Sequence, residues 1–320
     1  MEYYIENILS LFDGMSCGQL ALNREQFKYK NYFASEVDEY AMKVTQANYP
    51  NTIQIGDVTK IKSNDLPKID LLLGGSPCQN FSFAGKMNGM STVDNKEILT
   101  LESYIELKEQ GFEFQGESYL FWEYVRILKE VKPKYFLFEN VMMIEKWEKV
   151  ITSILGVDCI KINSSLLSAQ NRPRTYWTNI PNVSIPKDRN IVLKDIMDFE
   201  FQNRVFVDKT KIKSYAKKKS YLQYDLSGKG YKSQDQRAFY LTSKHGALTS
   251  KFGYSKVKVL LENGDIVHLT PMECERLQTV PDNYTNYVSL NQRHRMLGNG
   301  WTIDIIAFIL SFIKNDETFI

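Results

Sequence analysis

The feature that most constrains this chain of 320 residues is a rhythm that runs as far as residue 141. Five short apolar runs, each ending in a turn that carries Gly or an acid, alternate with helical stretches. "NILSLFDGMSCGQLAL" reads as a strand, a Gly-containing turn and a helix, and "YKNYFASEVD" as a second strand ending at Glu36. "YAMKVTQANYP" is a helix stopped by Pro50, followed by the short strand "TIQIGDV". "IDLLLGG" is a fourth strand, "LFWEYVRILKEVKP" an amphipathic helix and "KYFLFENV" a fifth strand. Strands alternating with helices of about 10–15 residues specify βαβ units and a parallel sheet. The expected fold is therefore α/β, a Rossmann-like, mostly parallel sheet flanked by helices.

After "RPRTYWTNIP" the alternation dissolves. It resumes at "TPMECERLQTVP", a helix with Thr270 as N-cap and Pro271 at its first position, and a last helix starts near Thr302. The expected organisation is a first domain over 1–183, a smaller, irregular, β-rich unit over 184–268, and a segment over 269–320 that returns to the first domain.

Hydrophobic residues at 43% and charged residues at 24% are the proportions of a soluble globular protein. The four cysteines (17, 78, 159 and 274) are widely separated, with no CxxC, and there are three histidines. That argues against a metal site or a disulfide framework and fits a reducing cytoplasm. No signal-peptide pattern opens the sequence. The longest apolar run, "WTIDIIAFILSFI", is interrupted by Asp304 and too short to span a bilayer, so no membrane partner is expected. Net charge is +2, but residues 201–260 hold 14 Lys and Arg against 3 Asp and Glu. Tyr215, Tyr221, Tyr224, Tyr231 and Tyr240 are interleaved there. A basic, tyrosine-rich island on an acidic body fits a polyanion surface, and equally a solvated lysine-rich face.

Open α/β sheets bind ligands beyond the carboxyl ends of their strands. "FDGMSCG" (12–18), "SEVD" (35–38), "GDV" (56–58), "GGSPCQ" (74–79) and "ENV" (139–141) all fall there. Gly14 and Gly18 allow a tight turn and a close approach to a ligand. Glu36, at the next strand end, suits both hydroxyls of a ribose, and Asp57 suits an exocyclic amine. The turn lacks the full GxGxxG pattern, so a dinucleotide is not specifically indicated. Glu139, shielded by Phe136 and Phe138, is placed to hold a proton and donate it to a ring nitrogen, or simply to cap a turn. Arg172 and Arg174 share one face of an extended segment and suit a carbonyl, a phosphate or a structural ion pair. Cys78 follows a proline in a loop with free backbone N–H groups, where polar surroundings favour a thiolate. Locally it reads as a nucleophile or as a packed small side chain.

Taken in order, "LSLFDGMSCGQLAL", "SEVD", "GDV", "GGSPCQNFS", "FENV", "QNRPR", "LTPMECERLQTVPD" and "LGNGW" resemble the motif series of the cytosine-C5 DNA methyltransferases of bacterial or phage type. The resemblance covers nearly the whole chain. It implies S-adenosyl-L-methionine as methyl donor, S-adenosyl-L-homocysteine as product and no metal. By the same resemblance Cys78 is the nucleophile toward C6 of a flipped cytosine, Glu139 faces N3, and Arg172 and Arg174 hold the base and the catalytic loop. Phe12, Gly14, Gly18, Glu36, Val37, Asp57, Val58, Pro77, Leu120 and Asn299 match the cofactor pocket. Val37 stands where many bacterial members carry an aromatic, and Trp301 after "GNG" departs from the usual bacterial pattern. The segment 86–117 is longer than in the smallest members and is expected to brace the loop that closes over DNA.

The basic window falls where the family places target recognition. Gln234 matches the residue that fills the space of the flipped base, Arg237 a guanine reader, and Ser82, Lys229 and Lys232 further DNA contacts. The implied partners are double-stranded DNA and, in a restriction–modification or phage setting, a cognate restriction endonuclease, for a monomeric enzyme. Three other readings stay open: RNA (tRNA) cytosine methylation on the same scaffold, a catalytically silent DNA-binding homologue, and, weakest, a nicotinamide oxidoreductase.

Overall fold

The computed structural model describes residues 3–78, 81, 90–198, 206, 232–233, 238–239, 258–260 and 266–316. The chain runs through β1 (Tyr4–Leu11), α1 (Cys17–Arg24), β2 (Lys28–Ser35), α2 (Glu39–Asn48), β3 (Ile53–Gln54) and β4 (Leu71–Gly74). It continues through α3 (Leu101–Glu109), α4 (Phe121–Val131), β5 (Tyr135–Val141), α5 (Glu145–Leu155), β6 (Cys159–Asn163), β7 (Gln170–Asn171) and β8 (Pro173–Thr178). Then follow α6 (Leu193–Ile196), β9 (Lys232–Ser233), β10 (Ala238–Phe239), β11 (Lys258–Leu260), β12 (Ile266–His268), α7 (Pro271–Leu277), α8 (Leu290–Asn299) and α9 (Ile303–Ser311).

Seven strands form one sheet in the order β3-β2-β1-β4-β5-β8-β6. The first five are parallel, and β8 runs antiparallel to both β5 and β6. The expected parallel α/β sheet is therefore present, with a reversed strand near one edge. Strand order turns back between β1 and β4, and such a switch point opens a crevice at the carboxyl ends of those strands. β4 is buried along its whole length and β5 from Tyr135 to Asn140, as strands covered on both faces must be.

Helices cover both faces. Leu20, Leu22, Cys274, Ile305 and Ile309 belong to one apolar layer, and Phe121, Trp122, Phe138, Trp147 and Ile151 to the other. The apolar run around Asp304 is spent on this core, since Ile303, Ile305, Ile306, Ile309 and Leu310 of α9 are all buried. The start of α7 follows its sequence signal. Thr270 Oγ1 accepts from Glu273 N at 3.2 Å, Glu273 Oε2 accepts from Thr270 N at 2.8 Å, and Pro271 supplies the first turn.

The segment before α4 is seated by one buried carboxylate. Glu123 takes Tyr104 Oη at 2.6 Å and Arg126 Nε at 2.7 Å, with Lys108 also on it. Arg126 in turn donates Nη2 to the carbonyl of Val58 at 3.2 Å. Helix α3 is thus tied through α4 to the turn that carries Asp57.

Beyond residue 183 the core packing continues, since Leu193, Ile196 and Met197 join the layer that holds α9. Strands β9, β11 and β12 form a small sheet. β10 pairs in parallel with β7, with Ala238 opposite Gln170 and Phe239 opposite Asn171. Most of the basic window lies outside the described residues.

Candidate active site

Strand β1 delivers the turn Phe12–Ser16 to the crevice. Phe12, Gly14 and Ser16 all have positive φ, at 57°, 59° and 64°, a conformation that suits glycine and strains the other two. The curl aims the amide of Gly14 at Glu36, whose Oε2 accepts it at 2.7 Å. Glu36 Oε1 accepts from the amides of Val37 and Asp38 at 2.7 and 2.8 Å. Oε2 therefore keeps an acceptor direction for a hydroxyl.

Asp57 Oδ1 accepts from Thr59 N and Oγ1 at 2.9 and 2.8 Å. Burial raises this carboxyl, but the Thr59 bonds and the Lys60 charge outweigh it and hold Asp57 below the usual range. At both Gly14 and Gly56 a Cβ would meet nothing within 4 Å. The backbone is bare and open beside each acid, so the residues present fit a ribose- and adenine-bearing group such as S-adenosyl-L-methionine.

The other expected pocket residues take varied places. Val37 is 69% exposed, Val58 is buried, and Phe12, Pro77 and Leu120 are partly exposed. Asn299 is exposed at the end of α8, while Gly300 packs against Met15 and Cys17 of the first turn. Gly18 is buried in α1, where a Cβ would lie 2.8 Å from Leu73 Cδ1 and overlap the Tyr32 hydroxyl. Its lack of a side chain serves helix-on-sheet contact rather than approach to a ligand. Asp13 was not singled out by the sequence. It is buried, takes Tyr32 Oη on Oδ1 at 2.7 Å, and leaves Oδ2 without a partner. Burial pushes its carboxyl up to about 6, against the opposing pull of the nearby Ser10, Tyr32 and Ser16 hydroxyls.

β4 and β5 deliver the second half of the site. Asn140 Nδ2 donates to the carbonyl and hydroxyl of Ser76 at 3.2 and 3.3 Å, which anchors the Cys78 turn to β5. The carbonyl of Cys78 accepts from Phe81 N at 3.0 Å, and Phe81 is buried edge-on against Trp147. Cys78 is thus fixed on both sides. Glu139 Oε1 pairs with Arg174 Nε at 3.0 Å, and its Oε2 accepts from Trp301 Nε1 at 2.9 Å.

Arg172 Nη2 donates to the carbonyls of Gly298 and Gly300 at 3.2 and 2.9 Å. The two arginines expected to hold a carbonyl or a phosphate bind, here, the backbone carbonyls of Gly298, Gly300 and Pro173 and the carboxyl of Glu139. Burial and the neighbouring Arg174 push the Arg172 guanidinium down to about 9, with Glu139 and Cys78 opposing.

The Cys78 thiol feels the same groups. Burial pushes it above its ordinary value, Arg174 pulls it down, Glu139 raises it and Arg172 lowers it. Cys78, Glu139, Arg172 and Arg174 therefore lie within one another's fields. The expectation that polar surroundings favour the thiolate is corrected: the positive charges are present, but burial outweighs them and the resting side chain is a thiol.

Ser82, Lys229, Gln234 and Arg237 lie outside the described residues, and Lys232 is described only as backbone in β9. Among the described residues no group of three His, Cys, Asp or Glu is placed to hold a metal. Sequence reasoning missed the anchoring role of Asn140, although "ENV" contains it. It noted Trp301 only as a departure from pattern.

The model of the family described as C-5 cytosine-specific DNA methylase matches residues 7–315. The chain is 26% identical over 326 residues to the type II methyltransferase M1.ScrFI of Lactococcus lactis subsp. cremoris, covering 94% of this chain and 76% of that one. It is 26% identical over 339 residues to the type II methyltransferase M.HhaI of Haemophilus parahaemolyticus, covering 97% and 95%. Among solved structures, the Entamoeba histolytica methyltransferase EhMeth superposes with a TM-score of 0.69 at 14% identity, over 97% of this chain and 98% of that one. That likeness concerns the fold.

Proposed function

The chain belongs to the C-5 cytosine-specific DNA methylase family, and from that premise we propose that it methylates C5 of a cytosine in duplex DNA, with Cys78 as the attacking residue. The observation that carries this reading is the convergence of Cys78, Glu139, Arg172 and Arg174 at the carboxyl ends of β4 and β5. Beside them lies the open, acid-flanked turn of Gly14, Glu36 and Asp57.

C5 of cytosine is a poor nucleophile, so a group must first add at C6. The thiolate sulfur of Cys78 forms a bond to C6 while Glu139 transfers a proton to N3, so that the ring takes the electron pair without building up charge. The thiol must first lose its proton to solvent. Arg174 and Arg172 are the groups that stabilise the resulting anion. S-adenosyl-L-methionine, held by Glu36 and Asp57, would supply there an electrophilic methyl group for C5 and leave as the neutral thioether S-adenosyl-L-homocysteine. A base then removes the C5 proton, the C6–S bond breaks, and the electrons return to sulfur as N3 gives its proton back to Glu139. Inside a duplex the target ring is out of reach, so the base is flipped into the site.

Glu36 would hold the ribose and Asp57 the adenine amine, with Phe12, Gly14, Val37, Val58, Pro77, Leu120 and Asn299 around them. Recognition of the target falls to the segment 184–268, with lysines on phosphates and Gln234 and Arg237 at the bases. The type II names of the relatives support a role beside a cognate restriction endonuclease.

The test is to express the chain in a host free of DNA methylation and to map modified cytosines. 5-Methylcytosine at a defined sequence, absent with Cys78→Ala, is the expected result. Soluble, folded protein that leaves no 5-methylcytosine overturns the reading.

A further inference from the structure

We propose that Trp301 is a positioning residue for the carboxyl of Glu139, so that the segment 298–301 completes the catalytic centre. This rests on the reading of Glu139 as the group that faces the cytosine ring. A glutamate carboxyl rotates broadly about its last bond, and a proton delivered to one ring nitrogen needs that rotation fixed. Two donors fix it, one on each oxygen. Arg174 Nε lies 3.0 Å from Oε1 and Trp301 Nε1 lies 2.9 Å from Oε2. An indole has a single N–H and no acceptor, so all of its directional bonding is committed to this contact. Each carboxyl oxygen retains a second acceptor direction for the substrate side.

The tryptophan is itself held in place. Arg172 Nη2 donates to the carbonyls of Gly298 and Gly300, and Gln278 Nε2 donates to those of Leu297 and Gly300 at 2.6 and 3.2 Å. Thr302 Oγ1 donates to Gln278 Oε1 at 2.7 Å. At Gly300 a Cβ would stand 3.1–3.2 Å from Met15 Cε and Cys17 Sγ, which leaves the segment little room to shift. The catalytic loop also adapts to the pair. A Cβ at Gly75 would sit 3.0 Å from Glu139 Oε2 and 3.1 Å from Trp301 Nε1. Bare backbone at that position lets the carboxyl and the indole meet.

Two substitutions attack the same bond from different sides. Trp301→Phe keeps a ring and removes the N–H, while Gly75→Ala wedges a methyl group between indole and carboxyl. The readout is release of tritium from C5-labelled cytosine DNA without S-adenosyl-L-methionine, which reports attack by Cys78 with help from Glu139. Cofactor and DNA dissociation constants are measured alongside. The expected result is release slowed about tenfold in each variant, the scale of a hydrogen bond to a charged group, with both dissociation constants unchanged. Wild-type release in Trp301→Phe, or a loss matched by weaker cofactor binding, overturns the positioning role. If Trp301→Phe does not fold, Gly75→Ala decides alone. Wild-type protein whose release is insensitive to Glu139→Ala refutes the underlying reading of Glu139 instead.

Discussion

The guanidinium of Arg172 reaches the carbonyl of Gly300 at 2.9 Å, which joins the start of β8 to a segment 128 residues away. The same arginine holds Gly298. A guanidinium is a rigid fork, whereas a lysine is a single point charge on a flexible stem. Arg172→Lys should therefore keep the local charge and lose one or both carbonyl contacts. We expect kcat for methyl transfer to fall about tenfold or more, on the scale of one to two lost charge-assisted bonds, measured by steady-state transfer to target DNA.

The raised thiol of Cys78 fixes the direction of the pH profile. On the proposed mechanism the attacking form is the anion, and burial keeps it a minor species at neutral pH. Single-turnover methylation should rise with pH about tenfold per unit until the thiol titrates. Arg174 is the strongest group pulling the thiol down, so Arg174→Gln should move that limb to higher pH. A limb that stays in place would show that Arg174 does not assist the thiolate.

Asp13 gives a stability prediction. Its folded value, about 6, lies above the usual carboxylate value of 3.8. The folded state therefore holds its proton more tightly, and the contribution to stability is present below 3.8 and lost as pH rises through 6. Above that, the buried anion costs roughly 2–3 kcal/mol. Asp13→Asn keeps an acceptor for Tyr32 and removes the charge. Its melting temperature relative to wild type should rise between pH 4.5 and 7.5, as followed by thermal unfolding.

Glu36 organises its turn with three backbone amides. Glu36→Gln turns one acceptor oxygen into an NH2 that faces an amide donor. Cofactor affinity should fall about tenfold or more, from the lost charge-assisted bond and the unpaired amide. Calorimetric titration with S-adenosyl-L-homocysteine measures this directly.

What the sequence made legible was local. Thr270, Pro271 and Glu273 sit within four positions of one another, and α7 starts there as they indicate. The alternation of apolar runs located β1 to β5, and those runs carry the turns with Gly14, Glu36, Asp57, Cys78 and Glu139. The partners of Arg172 were not legible, because they are main-chain carbonyls more than a hundred residues away and carry no side-chain signature. Trp301 and Glu139 are joined side chain to side chain across 162 residues, a separation at which sequence order does not display a pair. The protonation state of Cys78 was not legible, because a sequence displays the polar character of a loop but not how much water is removed from its thiol. Helix α8, "LNQRHRMLGN", has too little apolar content to declare itself.

The two-residue ladder between β10 and β7 places main chain from the basic window one position before Arg172. Its bonds are made by backbone and carry no preference for particular side chains. On the proposed reading of 184–268 as the recognition segment, one transplanted from another member would be free in its sequence at that point but bound in its register. A graft that kept every base-reading residue and lost the parallel pairing with Gln170 and Asn171 would arrive detached from the strand that leads into the active site.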